Sequence, residues 1–222
     1  MDHVPRKPPP GRGHRERLLA GAVTCLQERG YADTTVRDLV AVSGTNMASI
    51  GYHFGGKEAL LHEALAECFR TWTSRVEEAV LAEGEHTVRG ALERALAELI
   101  DVFEEQRPLI VSCVEAFPPA LRSEALRAKL RDCYAEARRA GVEMVRKLAA
   151  DGGTSLPAEA LVSVIIAISD GLMLQWLLDP DAVPDARQVI EVLGYLGGVL
   201  AAEEEPRTGS AAPADVSRPG DR

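Results

Sequence analysis

Residues 34–58, TTVRDLVAVSGTNMASIGYHFGGKE, constrain this chain more than any other stretch, because their local chemistry specifies two short helices and the corner between them. Thr35 precedes Asp38 by three residues, the spacing at which a hydroxyl and a carboxylate cap a helix start reciprocally. Gly44 stands just past the end of that helix, where a left-handed cap is wanted and a Cβ is unwelcome. Asn46 can then cap a second helix, expected over about Met47–Phe54. Two short helices joined by a three- or four-residue turn containing glycine have the layout of a helix-turn-helix, whose second helix enters a DNA major groove.

The flanks supply a third helix. From Arg15 to Arg29 the apolar residues Leu18, Leu19, Ala22, Val23 and Leu26 return on one helical face, and Gly30 ends the run. Residues 15–54 are therefore expected to form three helices around Leu39, Ile50 and Phe54. On the second motif helix, Ile50 and Phe54 face that core, which leaves Met47, Ala48, Ser49, Gly51, Tyr52 and His53 outward and Asn46 at the start. These are small or hydrogen-bonding residues, as a helix laid against base edges requires. Gly51 in a helix interior costs about 1 kcal/mol relative to Ala. Close backbone approach to DNA would offset that cost; a merely tolerated exposed glycine is the alternative. Tyr52 and His53 can each donate to a phosphate oxygen, fixing register without reading sequence. Lys57 lies in the first turn of the next helix, where a cation opposes the helix dipole, so it points to an anion nearby.

Composition permits this reading without establishing it. With 46% hydrophobic and 27% charged residues, 222 residues can bury a core. A net charge of −9 argues at first against a nucleic-acid partner. The first 60 residues, however, hold eight Lys/Arg against six Asp/Glu, and the acidic excess lies beyond them. A slightly basic head can meet phosphates while the acidic body is turned outward. Residues 1–12, rich in proline with Arg6, Lys7 and Arg12, read as a disordered arm, either a plain flexible terminus or one that tracks a DNA backbone.

The four cysteines (25, 68, 113, 133) are scattered with no CxxC, so buried or idle thiols in a reducing cytosol are expected, not a metal or disulfide site. The N-terminus has no apolar core of a secretory signal. The longest apolar run, near Leu161–Ile168, falls well short of the ~20 residues of a membrane span, so a cytoplasmic protein without a membrane partner is expected.

The rest of the chain reads as helices punctuated by Gly and Pro. One starts at Lys57 and continues to about Leu81; another restarts after Gly84 and Thr87 and runs to Glu105. Pro108 opens a short helix ending before Pro118-Pro119, and a long one spans about Ser123 to Ala150. Pro157 starts a further helix to Leu178, and the last runs from about Pro184 to Ala202. The fold class is all-α with about nine helices: a head over residues 13–56, a helical body over 57–202, and a disordered tail over 203–222.

The run RLLAGAVTCLQERGYADTTVRDLVAVSGTNMASIGYHFGGKEALLHEAL resembles the N-terminal domain of TetR-family transcriptional regulators almost end to end. Its G-Y-x-x-T-T-V-R-D-L and Y-H-F-G-x-K-E-x-L segments are highly specific in combination, and DGLMLQWLLDP at 170–180 looks like a late helix of that family's C-terminal domain. The resemblance implies that Thr35 and Arg37 lie in a phosphate- or base-contacting zone. It likewise puts Met47, Ala48 and Ser49 at base-reading positions, and makes Tyr52, His53 and Lys57 phosphate contacts. Gly51 departs from the family, many of whose members have Tyr there, and Val40 and Thr45 replace the commoner Ala and Val. Met47 offers no strong hydrogen bond, so readout through it would be apolar, for instance against a thymine methyl.

Helix 157–178 is apolar nearly all round, so it must be buried on all sides. With the helix carrying Leu193, Leu196 and Gly197 it can form a four-helix interface about a two-fold axis. Ile168, Leu172, Trp176, Leu193, Leu196 and Gly197 are the residues expected there, a purely intramolecular core being the alternative. Phe103, Cys113, Phe117, Tyr134 and Met173 are the candidates to line a ligand cavity, and each is individually more often plain core.

The expected function is a homodimeric, ligand-responsive repressor on a pseudo-palindromic double-stranded operator, with an unidentified small-molecule effector and no cofactor or metal. An activator or adaptor of the same fold with weakened DNA contacts is the runner-up. No enzyme is expected: His3, His14, His53, His62 and His86 form no HExxH or triad, and no GxGxxG or P-loop occurs.

Overall fold

The computed structural model describes residues 13–82, 87–152 and 157–204. Among these there are nine α-helices, one 3₁₀ turn and no strand. The expected arm (1–12), the break at Gly84 and the tail from residue 205 lie outside the described residues. The helices are α1 (His14–Asp33), α2 (Val36–Ser43), α3 (Met47–Phe54), α4 (Lys57–Leu81), α5 (Val88–Glu105), α6 (Arg107–Ala120), α7 (Glu124–Gly152), α8 (Ala158–Leu178) and α9 (Ala186–Glu204). Pro180–Ala182 form the 3₁₀ turn between the last two.

Local side-chain chemistry sets most of these boundaries. Thr87 caps α5 by accepting from the Gly90 N–H at 3.1 Å. Ser123 accepts from the Leu126 N–H at 3.3 Å, at the head of α7. At the head of α9 the side-chain oxygens of Asp185 and Gln188 each accept from the other's backbone N–H, at 2.8 and 3.0 Å. Two boundaries differ from expectation. Gly30 breaks α1, as its φ of 84° and ψ of 173° show, but the chain turns helical again for three residues to Asp33. Helix α6 passes through Pro118 and Pro119 to Ala120. Those prolines remove only the last donors of the helix, and the N–H groups of Leu121, Arg122 and Ser123 resume the bonding to Phe117 and Pro119.

The head does not enclose a core of its own. Leu18, Leu26, Leu39 and Ile50 share one buried cluster with Leu60, Leu61 and Leu65 of α4, Leu109 and Cys113 of α6, and Leu126 and Leu130 of α7. Three short helices expose too much surface to bury these residues alone, so α6 lies along α1 and closes the cluster. A second cluster joins α5, α6, α8 and α9.

Two expectations about α8 are corrected. Leu172 and Trp176 are buried inside the protomer, Trp176 with its ring 6.0 Å from that of Phe103, and Ile168 and Leu193 pack partly against the same cluster. Leu172 and Trp176 are therefore committed to their own subunit, while Ile168 and Leu193 are half-buried; an all-round apolar helix does not reveal which stripe serves its own subunit. The exposed apolar residues of α8 are instead Val164, Ala167, Leu174 and Leu178, and those of α9 are Val192, Tyr195, Leu196, Val199 and Leu200. Leu196 and Gly197 are thus open on α9, and a Cβ added at Gly194, Gly197 or Gly198 meets only open space. Helix α8 is also long and apolar enough, by length and composition, to cross a membrane, with mean hydropathy 1.9 over its most apolar window. The apolar run near Leu161–Ile168 understated this, because Ser169-Asp170-Gly171 interrupt the run without ending the helix.

Candidate nucleic-acid interface and the cavity behind it

The corner between α2 and α3 is built as its sequence chemistry requires. The Thr35 hydroxyl accepts from the Asp38 N–H at 3.3 Å, and the Asp38 carboxylate accepts from the Thr35 N–H at 3.0 Å and from its hydroxyl at 2.5 Å. These bonds from Thr35, with Arg29 and Arg37 nearby, hold the Asp38 carboxyl below the ordinary range. Gly44 takes the left-handed conformation at φ 61° and donates to the Val40 carbonyl. The Asn46 side-chain oxygen accepts from the Ser49 N–H at 2.9 Å and from its hydroxyl at 3.1 Å. Asn46 thus spends its oxygen on the helix and keeps its amide donors outward.

Most of the predicted reading residues are open to solvent. Met47 is 68% exposed and Tyr52 86%. Thr35, Arg37, Asn46, Ala48 and Gly51 are exposed, while Ser49, His53 and Lys57 are half-buried. The Tyr52 and His53 rings meet edge to face, 4.8 Å between centroids, so each steadies the other's direction. Only Ile50 of α3 is fully buried, the pattern of a helix held by one edge and presenting the rest.

Lys57 is placed differently from a free phosphate contact. Its ammonium donates to the Thr34 carbonyl at 3.0 Å, bracing the start of α4 against the end of α1. It also pairs with Glu58 Oε1 at 3.9 Å, but an ammonium has three donors, so bracing and phosphate contact are compatible. Sequence reasoning missed three neighbours. His14 Nδ1 lies 3.1 Å from the Ser49 hydroxyl, Arg17 reaches the Gly44 carbonyl at 3.5 Å, and Arg15 stacks over Phe54 at 5.2 Å. All three come from the first turn of α1, and only the fold brings them beside α3.

Behind the head lies a cavity of about 210 Å³ lined by α4, α5, α6, α7 and α8. Phe103, Cys113, Phe117, Tyr134 and Met173 all line it, together with aliphatic walls such as Val76, Leu99 and Ile165 that sequence alone does not separate from ordinary core. Its carboxylate is paired: the Tyr134 hydroxyl donates to Asp170 Oδ2 at 2.9 Å. Burial pushes the Asp170 carboxyl up, with partial relief from Tyr134 and Arg138, and burial with the Asp170 charge pushes the Tyr134 phenol up.

Helix α6 links cavity and head. Ile110, Cys113 and Phe117 face the cavity at helical spacing. On the opposite side the Ser112 hydroxyl donates to the Leu26 carbonyl at 2.6 Å, and Glu115 accepts from the Tyr31 N–H at 2.9 Å.

The four cysteines are free and buried. Burial raises the Cys25 and Cys68 thiols to about 11 and about 12, so they stay protonated and unreactive. Among the described residues no three His, Cys, Asp or Glu side chains gather as a metal site.

Two family models match the chain. "Bacterial regulatory proteins, tetR family" covers residues 18–64, and "BetI-type transcriptional repressor, C-terminal" covers residues 88–201. The chain is 26% identical to the HTH-type transcriptional regulator LmrA of Bacillus subtilis over 163 residues, 68% of this chain and 81% of that one. It is 25% identical to the HTH-type transcriptional regulator TtgR of Pseudomonas putida over 179 residues, 76% and 82% of the two chains. Against the HTH-type transcriptional repressor AcnR of Corynebacterium glutamicum it is 40% identical over 79 residues, 36% and 40% of the two. Its fold superposes on a tetR-family transcriptional regulator from Streptomyces coelicolor with TM-score 0.65 at 21% identity, covering 86% of this chain and 83% of that one.

Proposed function

The chain belongs to the TetR family of bacterial regulators and is a ligand-responsive, DNA-binding transcriptional repressor, and from that premise we propose how this molecule does it. Two copies pair through the open apolar stripes of α8 and α9. Each copy lays α3 in a major groove, with Asn46, Met47, Ala48 and Gly51 toward base edges. Tyr52, His53, Lys57, Thr35 and Arg37 serve the phosphates. An effector in the cavity shifts α4 and α6, and with them the separation of the two heads. The protein works in the cytoplasm, where its protonated thiols stay reduced.

The observation that carries this reading is the double use of α6, which lines the cavity with one face and hydrogen-bonds α1 with the other. Helix α4 provides a second route: Phe69, Trp72 and Val76 line the cavity, while Lys57 at its start holds Thr34. Only Gly55 and Gly56 separate α4 from α3, so movement of one carries the other. Switching operator occupancy from 99:1 to 1:99 demands about 5.5 kcal/mol of differential effector affinity for the two states. The apolar α8 face supports pairing: Val164, Leu174 and Leu178 are exposed on one stripe of the helix, and exposed apolar area of that kind seeks a partner.

Selection of bound duplexes from a random pool tests this. A homodimer should return a two-fold-repeated sequence whose half-site centres lie about 34–36 Å apart, one helical turn. Recovery of a lone, unrepeated half-site would refute the dimeric arrangement.

A further inference from the structure

The hydrogen-bonding groups left open in the cavity are unequal in sign. The Thr73 hydroxyl donates to the Phe69 carbonyl at 2.9 Å and the Ser169 hydroxyl to the Ile165 carbonyl at 2.9 Å, each within its own helix. Tyr134 spends its proton on Asp170, whose second carboxylate oxygen accepts no hydrogen bond among the described residues. Four oxygens therefore keep lone pairs and no proton to give, in a wall otherwise apolar. The uncommitted donors are the Trp72 indole N–H and the weak thiol of Cys113. A carboxylate in such surroundings is costly unless a positive partner arrives. Arg138 lies over the Tyr134 ring at 5.8 Å but is exposed and stays outside the cavity wall. The rings of Phe69, Trp72 and Tyr134 line the same cavity as Asp170, with Phe69 5.5 Å from Trp72 and 5.8 Å from Tyr134, and aromatic faces also favour cations.

We propose that the cavity takes a lipophilic organic ammonium ion, its apolar body against the aromatic and aliphatic walls and its N–H groups donating to Asp170 and the hydroxyl oxygen of Ser169. A cavity of 150 Å³ holds benzene, so one of about 210 Å³ suits a body of roughly nine non-hydrogen atoms. Carboxylic acids of the same shape are disfavoured, because their charge repeats that of Asp170. This inference rests on the effector reading above and assigns the chemical class of the effector.

The test uses the full chain and three probes of nearly equal size: 2-phenylethylamine, protonated at neutral pH, 2-phenylethanol and phenylacetate. Calorimetric titration without DNA should rank the amine at least about tenfold tighter than the alcohol, the margin between a charged and a neutral hydrogen bond, with phenylacetate weakest. Asp170→Asn should collapse the amine-to-alcohol ratio toward one while leaving alcohol affinity in place. Equal or tighter binding of phenylacetate, an unchanged ratio in Asp170→Asn, or no binding of the amine would each overturn the assignment. The wild-type series decides the matter even where the variant fails to fold. Release from a selected duplex is read separately. Amine binding without release would sustain the assignment and reject the effector reading. Release by phenylacetate but not the amine would do the reverse.

Discussion

Gly30→Ala is the sharpest single perturbation of the joint between head and body. Gly30 sits at φ 84°, ψ 173°, a region open essentially to glycine alone, so any Cβ costs about 1–3 kcal/mol of backbone strain. An added Cβ would also stand 2.7 Å from Glu115 Oε2, the oxygen that accepts from the Tyr31 N–H. Glu115 has a flexible side chain and can swing away, but only by giving up that bond. The bond is solvent-exposed, which puts its loss at about 0.5–1.5 kcal/mol. The two contributions make a destabilisation of about 2–4 kcal/mol, which for a chain of this size lowers Tm by roughly 5–15 °C. Urea denaturation followed by far-ultraviolet circular dichroism, at one fixed protein concentration because pairing contributes, measures it directly. Glu115→Gln separates the parts: it keeps the backbone unstrained and should cost less than about 1 kcal/mol. A Gly30→Ala protein within 1 kcal/mol of wild type would refute both the strain and the joint.

Gly51→Ala should act oppositely: its added Cβ meets nothing within 4 Å, so folding gains about 0.5–1 kcal/mol, while duplex affinity falls if the α3 backbone approaches DNA closely. Unchanged affinity would make Gly51 a merely tolerated glycine. Leu174→Glu with Leu178→Glu, both on the open α8 stripe, should give folded monomers by sedimentation, and a persistent dimer would move the interface elsewhere. Trp176→Asp, by contrast, should unfold the body by about 3–5 kcal/mol instead of cleanly splitting a dimer. Burial holds the His62 imidazole, 3.2 Å from the Tyr31 hydroxyl, below its ordinary pKa. The unfolded chain then binds more protons than the folded one below about pH 6.5, so stability is lost as pH falls through that range. His62→Gln should flatten this part of the urea-midpoint profile between pH 7.5 and 5.5; an unaltered slope would assign it to other groups.

What the sequence revealed and what it withheld divide along a physical line. Thr35, Asp38, Gly44 and Asn46 act on partners within four residues, so their spacing alone located α2, the turn and α3. The outward set on α3 followed from one buried residue, Ile50, and helical periodicity. Lys57 was read as pointing at an anion, yet its ammonium rests on the Thr34 carbonyl, 23 residues away in sequence. The bond from Glu115 to Tyr31 spans 84 residues and is invisible to any periodicity. Trp176 and Leu172 were assigned to a partner because α8 is apolar all round; which stripe turns inward depends on Phe103 and α9. Pro118-Pro119 were read as a stop, whereas α6 carries both in its last turn and backbone bonding resumes at Leu121.

The central claim is that the α2–α3 corner docks in a DNA groove, held by Tyr52, His53 and Lys57. Fluorescence anisotropy of a duplex recovered by selection, titrated at several salt concentrations with wild type and with Tyr52→Ala/His53→Ala, tests it most directly. The wild type should show affinity falling linearly on logarithmic axes as salt rises, and the double variant should bind at least about tenfold more weakly while keeping its fold. Duplex binding undiminished in the double variant would contradict the account.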